Sequence, residues 1–242
     1  MSTFTGYPSV FSGSPLIVDE VTPTHELGEL MVTPDGRRFR YVLVGASALV
    51  VGELLQSPAQ TTDSQSLVVA AAAIGDLSIT TTDTTTVTAN EFAGGYVIVT
   101  GEASTGRGQI LRIRSHPAAT AAVVTLTLED PVTVALTATS QIDLVHNPFN
   151  GVIQFPATRS GCPVGVAVNN ITAAQYGWIQ TGGVAAVLVN GTGTVGSVAV
   201  AADNAGAVEV GANATTEAFC PVGYFVTGVA TTENGAVFLN IS

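Results

Sequence analysis

The stretch Asp35-Gly36-Arg37-Arg38-Phe39-Arg40-Tyr41-Val42-Leu43-Val44 sets the reading of the whole chain. Asp-Gly is a turn signal, because glycine accepts the positive φ that a tight reversal needs. After it, Arg38, Arg40 and Val42 alternate with Phe39, Tyr41 and Leu43. A period of two puts alternate side chains on opposite faces, which is the pattern of a β-strand. A second strand is expected over 48–55, after Gly45.

The same texture runs outward in both directions. The 242-residue chain is filled with Ala, Val, Thr and Gly, and only 10% of it is charged. Val and Thr are β-branched and suit a pleated surface. The Glu, Lys, Leu and Arg pairs that support surface helices are scarce. Lysine is absent, and all seven basic residues are Arg. The fold class expected is all-β: an N-terminal extended arm plus two β-sandwich or barrel-like regions rich in short antiparallel strands.

Residues 1–35 read as the arm, since Pro8, Pro15, Pro23 and Pro34 punctuate it and its periodicity is weak. Such a segment is suited to lying along a neighbour, and Phe4, Tyr7 and Phe11 are its candidate contact residues. Residues 36–57 form a β-hairpin that either completes a C-terminal barrel or precedes it in tandem; the spacing leaves both orders open. Residues 58–155 read as a β domain. Its strands are expected at 67–73, 77–82, 96–100, 109–115, 122–129 and 133–137, with one short helical turn at 89–92. Residues 156–242 read as a barrel-like domain with strands at 164–169, 177–181, 185–189, 197–201, 207–210, 224–230 and 235–241. Asn234-Gly235 is its strongest hairpin signal.

Charge narrows the function. A net charge of −11 and a pI near 4.4 give no electrostatic footprint for nucleic acid and repel an anionic membrane surface. Neither nucleic acid nor membrane is expected as a partner. Met1 to Pro15 lacks the basic and apolar regions of a signal peptide.

No motif carries chemistry. His25, His116 and His146 lack the close pairing of a zinc site and read as loop or cap residues. Gly191, Gly193 and Gly196 spell a dinucleotide fingerprint, but a hairpin signal precedes them and a strand follows, so a glycine-rich turn is the reading. Asp76, Asp83 and Glu91 sit near threonine-rich loops without a calcium motif. Glu129, Asp130 and Asp143 offer only the carboxylate pairs that any acidic chain has. Cys162 and Cys220 each open a Cys-Pro-Val-Gly stretch, and spacing does not decide whether they pair. The chain is read as a non-enzyme without a cofactor or metal. Arg37, Arg38 and Arg40 form one basic group, for which salt bridges within or between subunits are the favoured reading.

Several segments resemble one family, the decoration (cement, or head-stabilising) proteins of tailed bacteriophages. They are Asp35 to Val42 with Gly45 and the 49–56 stretch, Leu111-Arg112-Ile113-Arg114-Ser115-His116-Pro117, Leu128 to Val132, Asn147 to Val152, and above all Tyr176-Gly177-Trp178-Ile179-Gln180-Thr181. The resemblance spans nearly all of the chain after the arm. Relatives often carry a bulky residue after Thr181, where this chain has Gly182-Gly183. The resemblance implies a virion protein on the capsid exterior, made in the host cytoplasm, that binds the major capsid protein as a homotrimer and stabilises the shell without catalysis. The alternative is a head-fibre or host-surface (glycan) binding module of the virion. Tyr176, Trp178, Arg37, Arg38 and Arg40 join the arm aromatics as candidate interface residues, with Trp178 equally readable as core.

Overall fold

The computed structural model describes residues 19–60, 62–83, 86–101, 105–120, 123–211 and 220–241. The protein is nearly all β, with eighteen strands among the described residues, numbered β1 to β18 in chain order. The one helical element among the described residues is a 3-10 turn at Thr62–Ser64. Phe4, Tyr7 and Phe11 lie outside the described residues. The chain divides into two compact units, one made of Met1–Pro58 with Pro148–Ser242 and the other of Ala59–Asn147.

The first unit holds two rings of strands joined by one long strand, β14 (Tyr176–Leu188). In the first ring, β2 (Arg38–Val44) pairs in parallel with β12 (Asn150–Gln154). β12 then pairs with β3 (Leu54–Gln56), and β3 with β13 (Pro163–Ala167). β13 pairs with the start of β14, which returns to β2 and closes a five-stranded ring. Closure removes the exposed edges that invite aggregation. Val42, Val44, Leu55, Val152 and Ile179 form its core, with Leu49, Val164, Ala167 and Ile171. β1 (Leu30–Val32) pairs with β2 from outside the ring.

The second ring uses the end of β14. β18 (Asn234–Asn240) pairs with it from Gly182 to Leu188. β17 (Pro221–Phe225), β15 (Val198–Ala201) and β16 (Val208–Val210) follow in that order. A bridge between Val208 and Val189, just past β14, brings the sheet round on itself. Val187, Ala199, Val208, Val222, Phe225, Val237 and Leu239 pack inside, together with Leu54, Phe155 and Val166.

β14 crosses between the rings at Gly182-Gly183. Gly183 has φ +81°, and a Cβ there would press on Arg37 Cγ at 3.0 Å. A Cβ on Gly182 would strike the Arg38 guanidinium. The glycines let the strand turn where two arginines lie against it. The expected strands at 177–181 and 185–189 are therefore one strand.

The second unit is a single closed ring. β4 (Leu67–Val68), β11 (Gln141–Val145), β7 (Tyr96–Val99), β8 (Ile110–Ser115), β10 (Val123–Leu128) and β5 (Ser78–Thr82) pair antiparallel in that order. The Val69–Thr81 bridge and the Ala70 N–H to Thr80 carbonyl bond (2.8 Å) join the last strand to the first. Burial alternates residue by residue along β8 and β10. Leu111, Ile113, Val124, Leu126 and Leu144 point inward, and a short pair, β6 (Thr86–Val87) with β9 (Ala119–Thr120), adds Val87 to the same core.

Several expectations change. No strand forms over 133–137. Gln109 takes the backbone of that stretch with its side chain: Oε1 accepts from Thr133 and Val134 N–H (both 2.9 Å), and Nε2 donates to the Val134 carbonyl. The 89–92 stretch is a turn without helix. Of the strand expected at 48–55 only Leu54–Gln56 forms, because the chain turns at Gly52 (φ +86°). Asn234-Gly235 lies within β18, and the reversal falls before it, where Thr232 takes φ +66°. β12, inside the 58–155 stretch, pairs with β2 and β3 and belongs to the first unit.

Candidate interaction surface

The register of β2 against β14 places Tyr41 opposite Trp178. Their rings meet edge to face, 5.2 Å apart at 62°. Tyr176 stacks nearly parallel on Tyr41 at 6.0 Å, and His25 sets its edge 5.0 Å from Trp178. Met31, opposite Phe39 in the β1 pairing, completes the cluster with Leu27 beside it. Trp178 is thus buried within its own chain, at 3% exposure. Tyr176 is half-buried at the rim.

Residues 19–32 are strapped over this cluster by carboxylates. Asp19 accepts the Thr172 N–H at 2.9 Å. Glu20 exchanges backbone hydrogen bonds with Tyr176, and its carboxylate accepts from the Tyr41 hydroxyl and from Thr24 Oγ1. Burial, then the bond to Glu20, raises the Tyr41 pKa. Glu29 faces His25 Nδ1 at 3.2 Å. An open cleft of about 440 Å³ lies alongside, lined by Pro23, Thr24, His25, Glu26, Glu29 and Tyr176 among others.

The three arginines have different partners. Arg37 Nε reaches Asp35 at 2.7 Å, and its guanidinium lies 5.5 Å from the Phe39 ring. Thr33 first, and Arg37 second, hold the Asp35 carboxyl down at about 2. Arg38 lies against Gly182. Arg40 donates to the Gly28 carbonyl at 2.7 Å and sits over Phe149, while its Nε is buried without a hydrogen-bond partner among the described residues.

The other sequence candidates turn out to brace turns. His116 Nε2 accepts the Phe92 N–H at 2.9 Å, which leaves Nδ1 to donate to the Pro117 carbonyl. His146 packs on Phe92 at 4.5 Å, and burial lowers its pKa against the opposing pull of Glu91. Asp76 accepts the Ala73 N–H, Glu91 accepts the Thr88 N–H, and Asp83 is buried against Ser64 Oγ. Asp143 accepts from Ser66 and Thr100, while Glu129 pairs with Arg112 at 3.3 Å. Gly191, Gly193 and Gly196 lie in the β14–β15 connection, so a strand follows them. Cys162 and Cys220 are free thiols. Among the described residues, His, Cys, Asp and Glu gather into no group of three that could hold a metal ion, and no helix is long and apolar enough to cross a membrane.

One feature was missed from sequence. Val184 in β14 is opposite Phe238 in β18, Phe238 is opposite Tyr224 in β17, and Tyr224 is opposite Val198 in β15. All four face solvent, at 48%, 49%, 53% and 38% exposure. They form one apolar row across four adjacent strands. Ala186 and Ala236 form the next rung, with Val226 bonded to Ala236 by its N–H. None of these positions carries a charge. In β18 the run Ala236-Val237-Phe238-Leu239 is apolar at both phases, so only pairing reveals which residues point out.

A scan against protein-family models, a search of curated proteins and a search of solved structures each returned no match.

Proposed function

We propose that this protein is a structural component of a phage virion, binding the outer surface of the capsid lattice and stabilising it. The observation that carries the reading is how two of the segments behind the resemblance, one of them the most distinctive, meet. The 35–42 and 176–181 segments, far apart in sequence, pair residue by residue around Tyr41 and Trp178. These two of the segments that resemble decoration proteins thus form one built element. Closed rings with few free edges suit a protein displayed in many copies, where individually weak contacts add up.

The test is co-sedimentation of the purified chain with expanded phage heads that lack it, followed by thermal challenge of the heads. Saturable binding and a raised disruption temperature are expected. Heads that neither bind the chain nor gain stability would end the proposal. A host-glycan-binding module is the second reading. It is favoured by the cleft of about 730 Å³ in the 59–147 unit, where Thr62, Ser66, Thr80 and Thr82 line the walls. Binding to a glycan array that a Thr80→Val, Thr82→Val variant loses would favour it.

A further inference from the structure

The apolar row Val184–Phe238–Tyr224–Val198 has no cover among the described residues, yet contiguous exposed apolar surface marks an interaction site. We propose that residues 1–18 of a second copy of this chain lie over it, so that copies are linked by exchanged arms. This goes beyond attachment to a capsid and can hold without it.

The first reason is chemical match. Residues 1–18 contain no Asp, Glu, Lys, Arg or His, and they carry Phe4, Tyr7, Val10, Phe11, Leu16, Ile17 and Val18. The row is likewise apolar and uncharged. Laying one on the other desolvates no ion, and burial of apolar area drives the contact. Pro8 and Pro15 restrict the backbone of the segment and reduce the entropy lost on docking.

The second reason is where the charge lies. The net charge of −11 resides entirely on the residues after 18. Two such bodies pressed together would repel, whereas an uncharged arm makes the contact at a distance. Eighteen extended residues reach up to about 60 Å, against a screening length of about 8 Å in physiological salt. The row spans three strand spacings, roughly 14 Å, so a few residues cover it and the rest bridge the gap. The partition of charge matters only between copies, since an arm folded onto its own body has no second charged body to hold off.

Sedimentation equilibrium of four proteins tests this: the full chain, the chain lacking residues 1–18, Phe238→Asp, and Ile110→Asp as a control at an exposed site in the other unit. The full chain and the control are expected to sediment well above 24.5 kDa, and the other two as monomers. In addition, a synthetic peptide of residues 1–18 is expected to bind the truncated chain, with about tenfold or greater weakening by Phe238→Asp. Tyr224→Ser, a milder change in the same row, is expected to weaken it in the same direction should Phe238→Asp fail to fold. A full chain that stays monomeric would overturn the proposal, and so would an assembly that survives loss of the arm or the row substitutions. A monomer whose row binds an apolar dye only after residues 1–18 are removed would also overturn it, since the arm would then cover its own body.

Discussion

The two units reach a closed all-β form by different routes. The 59–147 unit is one continuous stretch in a single antiparallel ring, with apolar and polar residues alternating along β8 and β10. The other unit is assembled from distant pieces. The Thr181–Arg38 contact closes a span of 143 residues, and the Gln56–Ser160 bond one of 104. It also buries polar side chains: Gln56, Gln180 and Thr181 are at 0–2% exposure. Gln180 Nε2 donates to the Gly182 and Val184 carbonyls at 3.0 and 2.9 Å, beside the point where β14 passes between rings. The continuous ring buries polar groups too, with Ser64, Asp83 and Ser140 at 0–2% exposure, but all its strands come from one stretch of chain, whereas the spliced unit depends on contacts between distant pieces and on the glycines where β14 crosses between rings.

The comparison breaks most visibly at Gly223. A Cβ there would collide with the Phe238 carbonyl. Gly223→Val is expected to cost on the order of 4 kcal/mol or more and unfold the two-ring unit. Hydrogen exchange should still find residues 59–147 protected, and joint loss of protection would show that the units fold as one. In the single ring, Leu126 is fully buried, and Leu126→Ala is expected to cost about 2–5 kcal/mol in urea unfolding of an isolated 59–147 fragment. That fragment should also unfold cooperatively on its own.

Gln180→Leu keeps the volume but removes the donor to the Gly182 and Val184 carbonyls, the first of them buried. A loss of about 1–3 kcal/mol in the two-ring unit is expected, read by chemical denaturation. His146 sharpens the comparison through pH. Its folded pKa is lowered by burial, so the unfolded chain binds the proton more readily. The stabilising contribution is complete above the unfolded value of about 6.5 and is lost as pH falls through it toward the folded pKa. Thermal melts of the 59–147 fragment between pH 7.5 and 5.5 should show this decline, and His146→Gln should flatten it. The smallest effect is expected from Arg112→Ala, which removes an exposed ion pair with Glu129 and should cost under about 1 kcal/mol in the same melts.

These differences also explain what could be read in advance. β5, β8 and β10 were legible because their alternation is unbroken. β11 was overlooked although Gln141-Ile142-Asp143-Leu144 alternates, since the stretch is short, and the outward Asp143 carboxylate is used by Ser66 and Thr100. β12 was hidden because Asn150-Gly151 reads as a turn, although Gly151 takes φ +93° inside the strand. Hairpin 36–57 left two chain orders open, and only the pairing of β2 with β14 and of β3 with β13 puts it in the ring with the C-terminal strands. At the site, Tyr176 and Trp178 stood out as an aromatic motif, but their burial under residues 19–32 depends on long-range register. The apolar row left no local signal, because its members come from four strands and each sits beside an inward-facing apolar neighbour.

The most direct test of the functional account is a single-particle map of phage heads incubated with the full chain. The account predicts ordered all-β density on the outer face of the shell, repeating with the lattice and fitted by the two units. Heads that remain bare under saturating chain, or density confined to fibres standing off the shell, would contradict it.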